Sequence, residues 1–140
     1  MLINVTGNFN SKGQFVYEKP NILFDRRFGY KIGVRHLNLE FRPNVNLKDN
    51  ELFSVTSNLI DCSPNNSLQS LFNFSIVKDR KSIQDYKADS VIFHSLQLFD
   101  LGDATFSIKR VFTENRPVDI LNIFLQLEVC KIDAYGRLQQ

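Results

Sequence analysis

The chain has 140 residues, a formal net charge of +2, and 43% hydrophobic against 23% charged residues. This balance is typical of a globular chain and excludes a disordered one, so we expect a single domain over residues 1–140. The small excess of positive charge argues against a specific nucleic-acid partner. The longest apolar runs are too short for a membrane span, and the N-terminal MLINVTGNFN lacks the pattern of a secretory signal. We therefore expect a protein that is made intracellularly.

Apolar residues that alternate with polar ones predict β-strands along almost the whole chain. Within Tyr30–Phe41 the apolar positions switch from even to odd numbers near Arg35 and His36, which predicts a β-bulge there. The predicted strands and strand-like segments are Leu2–Thr6, Gln14–Tyr17, Pro20–Phe24, Tyr30–Phe41, Leu52–Ile60, Ser70–Val77, Val91–Leu98, Ala104–Phe112 and Val118–Ile132.

The second half of the chain predicts three further features. Ser70–Val77 has the alternation needed to pair with Leu52–Ile60 as a hairpin, whereas the polar segment Lys78–Asp89 predicts a loop. Val91–Leu98 is expected to place its even-numbered residues on one apolar side. These residues are Ile92, His94, Leu96 and Leu98.

The last predicted strand, VDILNIFLQLEVCKI, has the clearest pattern. One face carries only aliphatic side chains, and the other is mixed and includes Phe124 and Glu128. The mixed face suits either a central strand with a partly wetted outer side or a contact between copies in an assembly. The aliphatic residues are Leu121, Ile123, Leu125, Leu127 and Val129.

About eight strands joined by irregular loops predict an all-β fold, a single eight-stranded antiparallel jelly-roll sandwich. The competing fold is a lipocalin-like barrel. Long loops at 42–51 and 78–90 argue against the regular meander of short hairpins that such a barrel uses. Thirteen Phe residues and no Trp suit the interior of a sandwich.

No catalytic motif occurs in the sequence, so we expect no enzyme and assign no catalytic, cofactor-binding or metal residues. His36 and His94 are interpreted as hydrogen-bonded structural residues, although proximity in space could still make them ligands. Cys62 and Cys130 match no metal or redox spacing and are expected to be free thiols. The Asp100–Asp103 segment is interpreted as a turn with too few ligands for calcium.

Two segments resemble the small jelly-roll minor capsid proteins, or pentons, of Polinton/Maverick elements and adintoviruses. One is GYKIGVRHLNLEF at 29–41, and the other is ENRPVDILNIFLQLEVCKIDAYGRLQQ at 114–140. The first is similar to an early strand of those proteins with an aromatic-x-[IV]-G-[VL] pattern. The second is similar to a late strand followed by a turn with Gly. Its matching residues are Val118, Asp119, Ile120, Leu121, Asn122 and Gly136.

The resemblance implies a structural protein of a virion. It would form a homopentamer at the five-fold vertices of an icosahedral capsid, beside double-jelly-roll major capsid proteins. The alternative is a ligand-binding β-sandwich, either a carbohydrate-binding or a TNF-like recognition module. Without Trp, a sugar platform would have to use the tyrosines, which are Tyr17, Tyr30, Tyr86 and Tyr135.

Overall fold

A computed structural model of the chain describes residues 1–60, 70–77, 82–112 and 117–139. These residues form ten β-strands and one short 3-10 turn at Leu101–Asp103, so the prediction of an all-β chain is confirmed. The strands are β1 (Leu2–Phe9), β2 (Phe15–Glu18), β3 (Gly29–Phe41), β4 (Leu52–Ser57), β5 (Ser70–Ser75), β6 (Ile83–Lys87), β7 (His94–Ser95), β8 (Phe106–Arg110), β9 (Ile120–Ile132) and β10 (Leu138–Gln139).

The strands form two antiparallel sheets. The large sheet has the order β2-β1-β9-β3-β6, with β7 also pairing with β3 and β10 with β9. The small sheet has the order β5-β4-β8. The predicted hairpin is confirmed, because β4 and β5 are antiparallel neighbours.

The two longest strands, β3 and β9, pair along nearly their whole length at the centre of the large sheet. Their inner faces pack against the small sheet, where the rings of Phe41 and Phe53 lie 5.1 Å apart between centroids. The register shifts between Val34 and His36, so the predicted bulge is confirmed. On β9 the aliphatic face is buried from Ile123 to Val129, as its alternation predicts. The prediction is wrong for Leu121, which is only half-buried, because the register shifts between Glu40 and Phe41 and Ile120 is buried instead.

The segment predicted as the loop Lys78–Asp89 contains a strand, so that prediction is wrong for residues 83–87; residues 78–81 lie outside the described residues. The inward-facing residues of β6 are Gln84 and Tyr86. Because both carry polar groups, a search for alternating apolar residues does not recognise this segment as a strand. Gln84 is buried, and its side-chain oxygen accepts hydrogen bonds from the Val77 N–H at 3.0 Å and the Tyr86 hydroxyl at 2.8 Å. Satisfied polar groups thus replace apolar ones at this edge of the sandwich.

Two predicted strands are mostly irregular. Pro20–Phe24 contributes only an isolated bridge between Leu23 and Asp100, which suits a segment that begins with proline. Of Val91–Leu98, only β7 and a bridge at Leu96 pair, and Ile92 is 74% exposed instead of facing the core. The expected apolar side is therefore wrong for Ile92.

The reason lies at Gly33 in β3. A Cβ atom there would lie 2.4 Å from both the Ile92 carbonyl oxygen and the Val91 Cγ1. The backbone of residues 91 and 92 therefore crosses β3 between the stretches that pair with β6 and β7, and only a glycine leaves room for it.

Candidate functional site

His36 lies on the outer face of the large sheet. Its Nε2 is 2.6 Å from the Asp85 Oδ1, and its ring packs edge-on against Phe124 with centroids 5.5 Å apart. The hydrogen bond to His36 lowers the pKa of the Asp85 carboxyl, and a second bond from Asn38 acts in the same direction. The interpretation of His36 as a hydrogen-bonded residue is confirmed. The Asp85 side chain is 43% exposed, so the pair sits on an open surface and not in an enclosed pocket.

The other residues considered for chemistry lie apart from this pair. His94 is on β7 beside Ile32. Asp100 accepts a hydrogen bond from the Gly102 N–H at 2.9 Å, the turn role expected of it. Cys130 is a buried free thiol, whereas Cys62 lies outside the described residues. In the ranges that the structure describes, no group of three or more His, Cys, Asp or Glu side chains could hold a metal ion.

Three of the four tyrosines pack against other rings. Tyr17 contacts Phe106, Tyr30 contacts Phe24, and Tyr86 contacts Phe74. Burial raises the pKa of both the Tyr17 and Tyr86 phenols to about 12. Tyr135 is the exception, with 83% of its surface exposed. A sugar platform on this protein would therefore have to be built around Tyr135.

Polar side chains elsewhere on the outer face of the large sheet pair with one another across strands. Arg35 forms an ion pair with Glu128 at 2.5 Å, from the bulge of β3 to β9. The Asn122 amide donates to Glu40 at 3.1 Å. Cross-strand pairs of this kind fix the register and leave the surface wetted.

A groove of about 400 Å³ lies at the end of the sandwich where β3 begins and β9 ends. It is called the end groove here, and its lining residues include Met1, Ile22, Leu23, Tyr30, Val129 and Lys131. The Met1 ammonium donates to the Val129 carbonyl at 3.0 Å, which holds the first residue at the groove.

The end groove exposes apolar side chains to solvent. Leu23 is 73% exposed and Met1 64% exposed. Apolar residues clustered around a concave surface are typical of a protein–protein contact. Sequence analysis did not find this groove, because its walls come from segments far apart in the chain.

No helix in the described part of the chain has the length and apolar character needed to cross a membrane. No protein-family model matches the chain, and no curated protein and no solved structure is significantly similar to it.

Proposed function

We propose that this protein is a structural subunit of a viral capsid, a single-jelly-roll penton. In this proposal five copies form a ring at each five-fold vertex, next to a double-jelly-roll major capsid protein, and the protein resides in the virion. It turns over no substrate, and its function is to hold neighbouring subunits in a fixed geometry.

The observation that carries the proposal is the order of the strands. In an eight-stranded jelly roll, one sheet places the first strand beside the last, then the third, then the sixth. The large sheet here has β1 beside β9, then β3, then β6 and β7, which pair in tandem with successive parts of β3. Counting β6 and β7 as one interrupted sixth strand, and β10 as an appended hairpin, leaves eight strands.

The small sheet supports the same interpretation. In a jelly roll, the opposing sheet has the fifth strand beside the fourth, then the seventh, then the second, and the first three of these correspond to β5, β4 and β8. The remaining strand, β2, pairs with β1 in the large sheet but also contacts β8, since the rings of Tyr17 and Phe106 lie 5.6 Å apart. It therefore lies at the corner between the two sheets.

The two segments that resemble penton proteins also meet in space. Residues 29–41 form β3, and residues 120–132 within the second segment form β9. These strands are direct neighbours with a shared register from Gly29 to Phe41. The resemblance thus falls on the structural centre of the large sheet.

Contacts between copies are proposed to use the end groove. Replacing Leu23 with Asp would put a charge on its most exposed apolar residue, and burying that charge between copies is costly. We expect Leu23→Asp to shift the protein from rings to smaller species in mass photometry. The matched control is Phe112→Asp, which charges an 84% exposed aromatic residue that follows β8.

A wild-type protein that stays monomeric at all concentrations would contradict the proposal. Rings that form equally well with Leu23→Asp would place the contact elsewhere on the surface. Co-expression with a double-jelly-roll major capsid protein tests incorporation, and absence of this chain from the purified particles would also count against a capsid role.

The alternative function is a ligand-binding β-sandwich of the carbohydrate-binding or TNF-like kind. One observation favours it, a polar trough on the outer face of the small sheet. A glycan array would test this alternative directly. A recognition module should bind particular sugars on the array and keep them bound at ordinary ionic strength.

A further inference from the structure

The outer face of the small sheet carries a trough of about 310 Å³ whose floor is made of hydroxyl groups. The floor residues are Ser54 and Thr56 of the central strand β4, and each is only 7% exposed. Their neighbours along the chain, Phe53 and Val55, face the core. The alternation of β4 therefore places apolar side chains on the face toward the core and small polar side chains on the face toward the trough.

The strand register aligns longer polar side chains on both sides of this floor. Ser54 is directly opposite Lys109 of β8 and Asn73 of β5. Neighbouring strands are about 4.8 Å apart, so the Lys109 and Asn73 backbones stand about 10 Å from each other with Ser54 between them. A short residue between two longer ones makes a concave site across three strands.

The hydrogen bonds inside the trough leave donors facing outward. The Ser54 hydroxyl donates to the Ser70 Oγ at 2.7 Å, and the Ser70 hydroxyl donates to the Asn73 Oδ1 at 2.6 Å. Since the amide oxygen of Asn73 accepts this hydrogen bond, both N–H donors of its amide are left without a partner among the described residues and can bind another group. The direction of these hydrogen bonds therefore leaves amide donors available for an acceptor on a ligand.

The charge of the trough comes from one lysine. Arg110 also lines it, but its Nε is 2.8 Å from the Glu51 Oε2, and its guanidinium also donates to the Asn46 carbonyl. Lys109 forms no ion pair within the part of the chain that the structure describes. The site therefore combines one uncompensated ammonium with neutral donors.

We propose that this trough binds a small oxyanion, the carboxylate or phosphate group of a small molecule, between the Lys109 ammonium and the Asn73 amide. Hydrogen bonds from a charged donor and a neutral amide are the usual means by which proteins hold such groups. The volume accommodates a ligand of about monosaccharide size, with the anionic group over Ser54. This inference does not depend on the capsid proposal, since the trough is complete within one chain.

The test is isothermal titration calorimetry of the full chain, supported by ligand-detected saturation-transfer NMR, which remains usable for a large assembly. The probes are inorganic phosphate and glucuronate, with glucose as the uncharged match for glucuronate. We expect saturable binding of at least one of the two anions and weakening in high salt, because a single exposed lysine is screened. Which anion binds more tightly distinguishes a phosphate ligand from a carboxylate ligand.

The critical variant is Lys109→Met, which retains most of the side-chain length and removes the charge. It should weaken anion binding about tenfold or more, because a hydrogen bond to a charged group is lost. The matched control, Lys87→Met, removes an equivalent charge from β6 on the other sheet and should leave binding unchanged. Ser54→Val should also weaken binding, because it removes the hydroxyl that begins the hydrogen-bond chain to Asn73, while leaving a residue that suits a strand.

Three results would overturn the proposal. One is the absence of saturable binding of either anion. Another is an equal loss of binding in Lys87→Met, which would indicate general attraction to positive charge. The third is glucose binding as tightly as glucuronate, which would indicate a neutral sugar site.

Discussion

Gly33→Ala tests the path of the chain across β3. The added Cβ would lie 2.4 Å from the Ile92 carbonyl oxygen and the Val91 Cγ1. Non-bonded carbon contacts are favourable at about 3.5 Å or more, so the crossing segment would have to move by about 1 Å. Overpacking of this kind costs about 1–3 kcal/mol. We therefore expect Gly33→Ala to lower the free energy of unfolding by about that amount.

The sign of the change in the free energy of unfolding distinguishes two possible structures of this region. If Val91–Leu98 were a regular strand beside β3, alanine would suit the strand better than glycine and would stabilise the protein by about 0.5–1 kcal/mol. The assay is urea unfolding followed by far-UV circular dichroism. The control is Gly29→Ala in the same strand, where a Cβ would be 3.4 Å from the Ile132 Cδ1 and should be tolerated. A Gly33→Ala variant as stable as the wild type would refute the crossing.

Three further predictions concern stability. Leu37→Ala empties a fully buried position on β3 and should cost about 2–5 kcal/mol in urea unfolding; a cost under about 1 kcal/mol would contradict its place in the core. The raised pKa of Tyr17 means that its contribution is complete below pH 10 and is lost as pH rises through about 12, so Tyr17→Phe should move the alkaline unfolding midpoint upward. An unchanged midpoint would argue against burial of the phenol. The lowered pKa of Asp85 gives stability that is present above its ordinary value of 3.8 and is lost as pH falls through the lower folded value. Asp85→Asn should flatten the acid part of the stability curve at a cost below about 1 kcal/mol, because the pair with His36 is exposed; an unaltered acid slope would contradict this.

The sequence predicts the long strands well because their inner faces are continuous and apolar. In β9 every second residue from Ile123 to Val129 is buried, and no other element type produces that pattern. The bulge in β3 can also be predicted from the sequence, since it switches the apolar positions from even to odd numbers at a single point.

Elements whose inner face is polar or interrupted are missed. β6 buries Gln84, which a hydrophobic pattern counts as exposed. The segment around Ile92 alternates like a strand, but it crosses over Gly33 instead of lying beside it. Both failures arise because the deciding contact is with a distant part of the chain.

Surfaces built across strands are similarly hidden from sequence analysis. The trough requires Lys109, Ser54 and Asn73 in one row, and only the strand register places them there. The end groove joins Met1, Leu23 and Val129, which no local pattern connects. Sequence analysis identifies the strands but not the neighbours that turn their outer faces into sites.

The capsid account is tested most directly by the symmetry of the purified protein, measured by native mass spectrometry together with two-dimensional class averages from electron microscopy. The account predicts closed rings of five 16.2 kDa chains. A homogeneous monomer, or a ring with three copies, would contradict it.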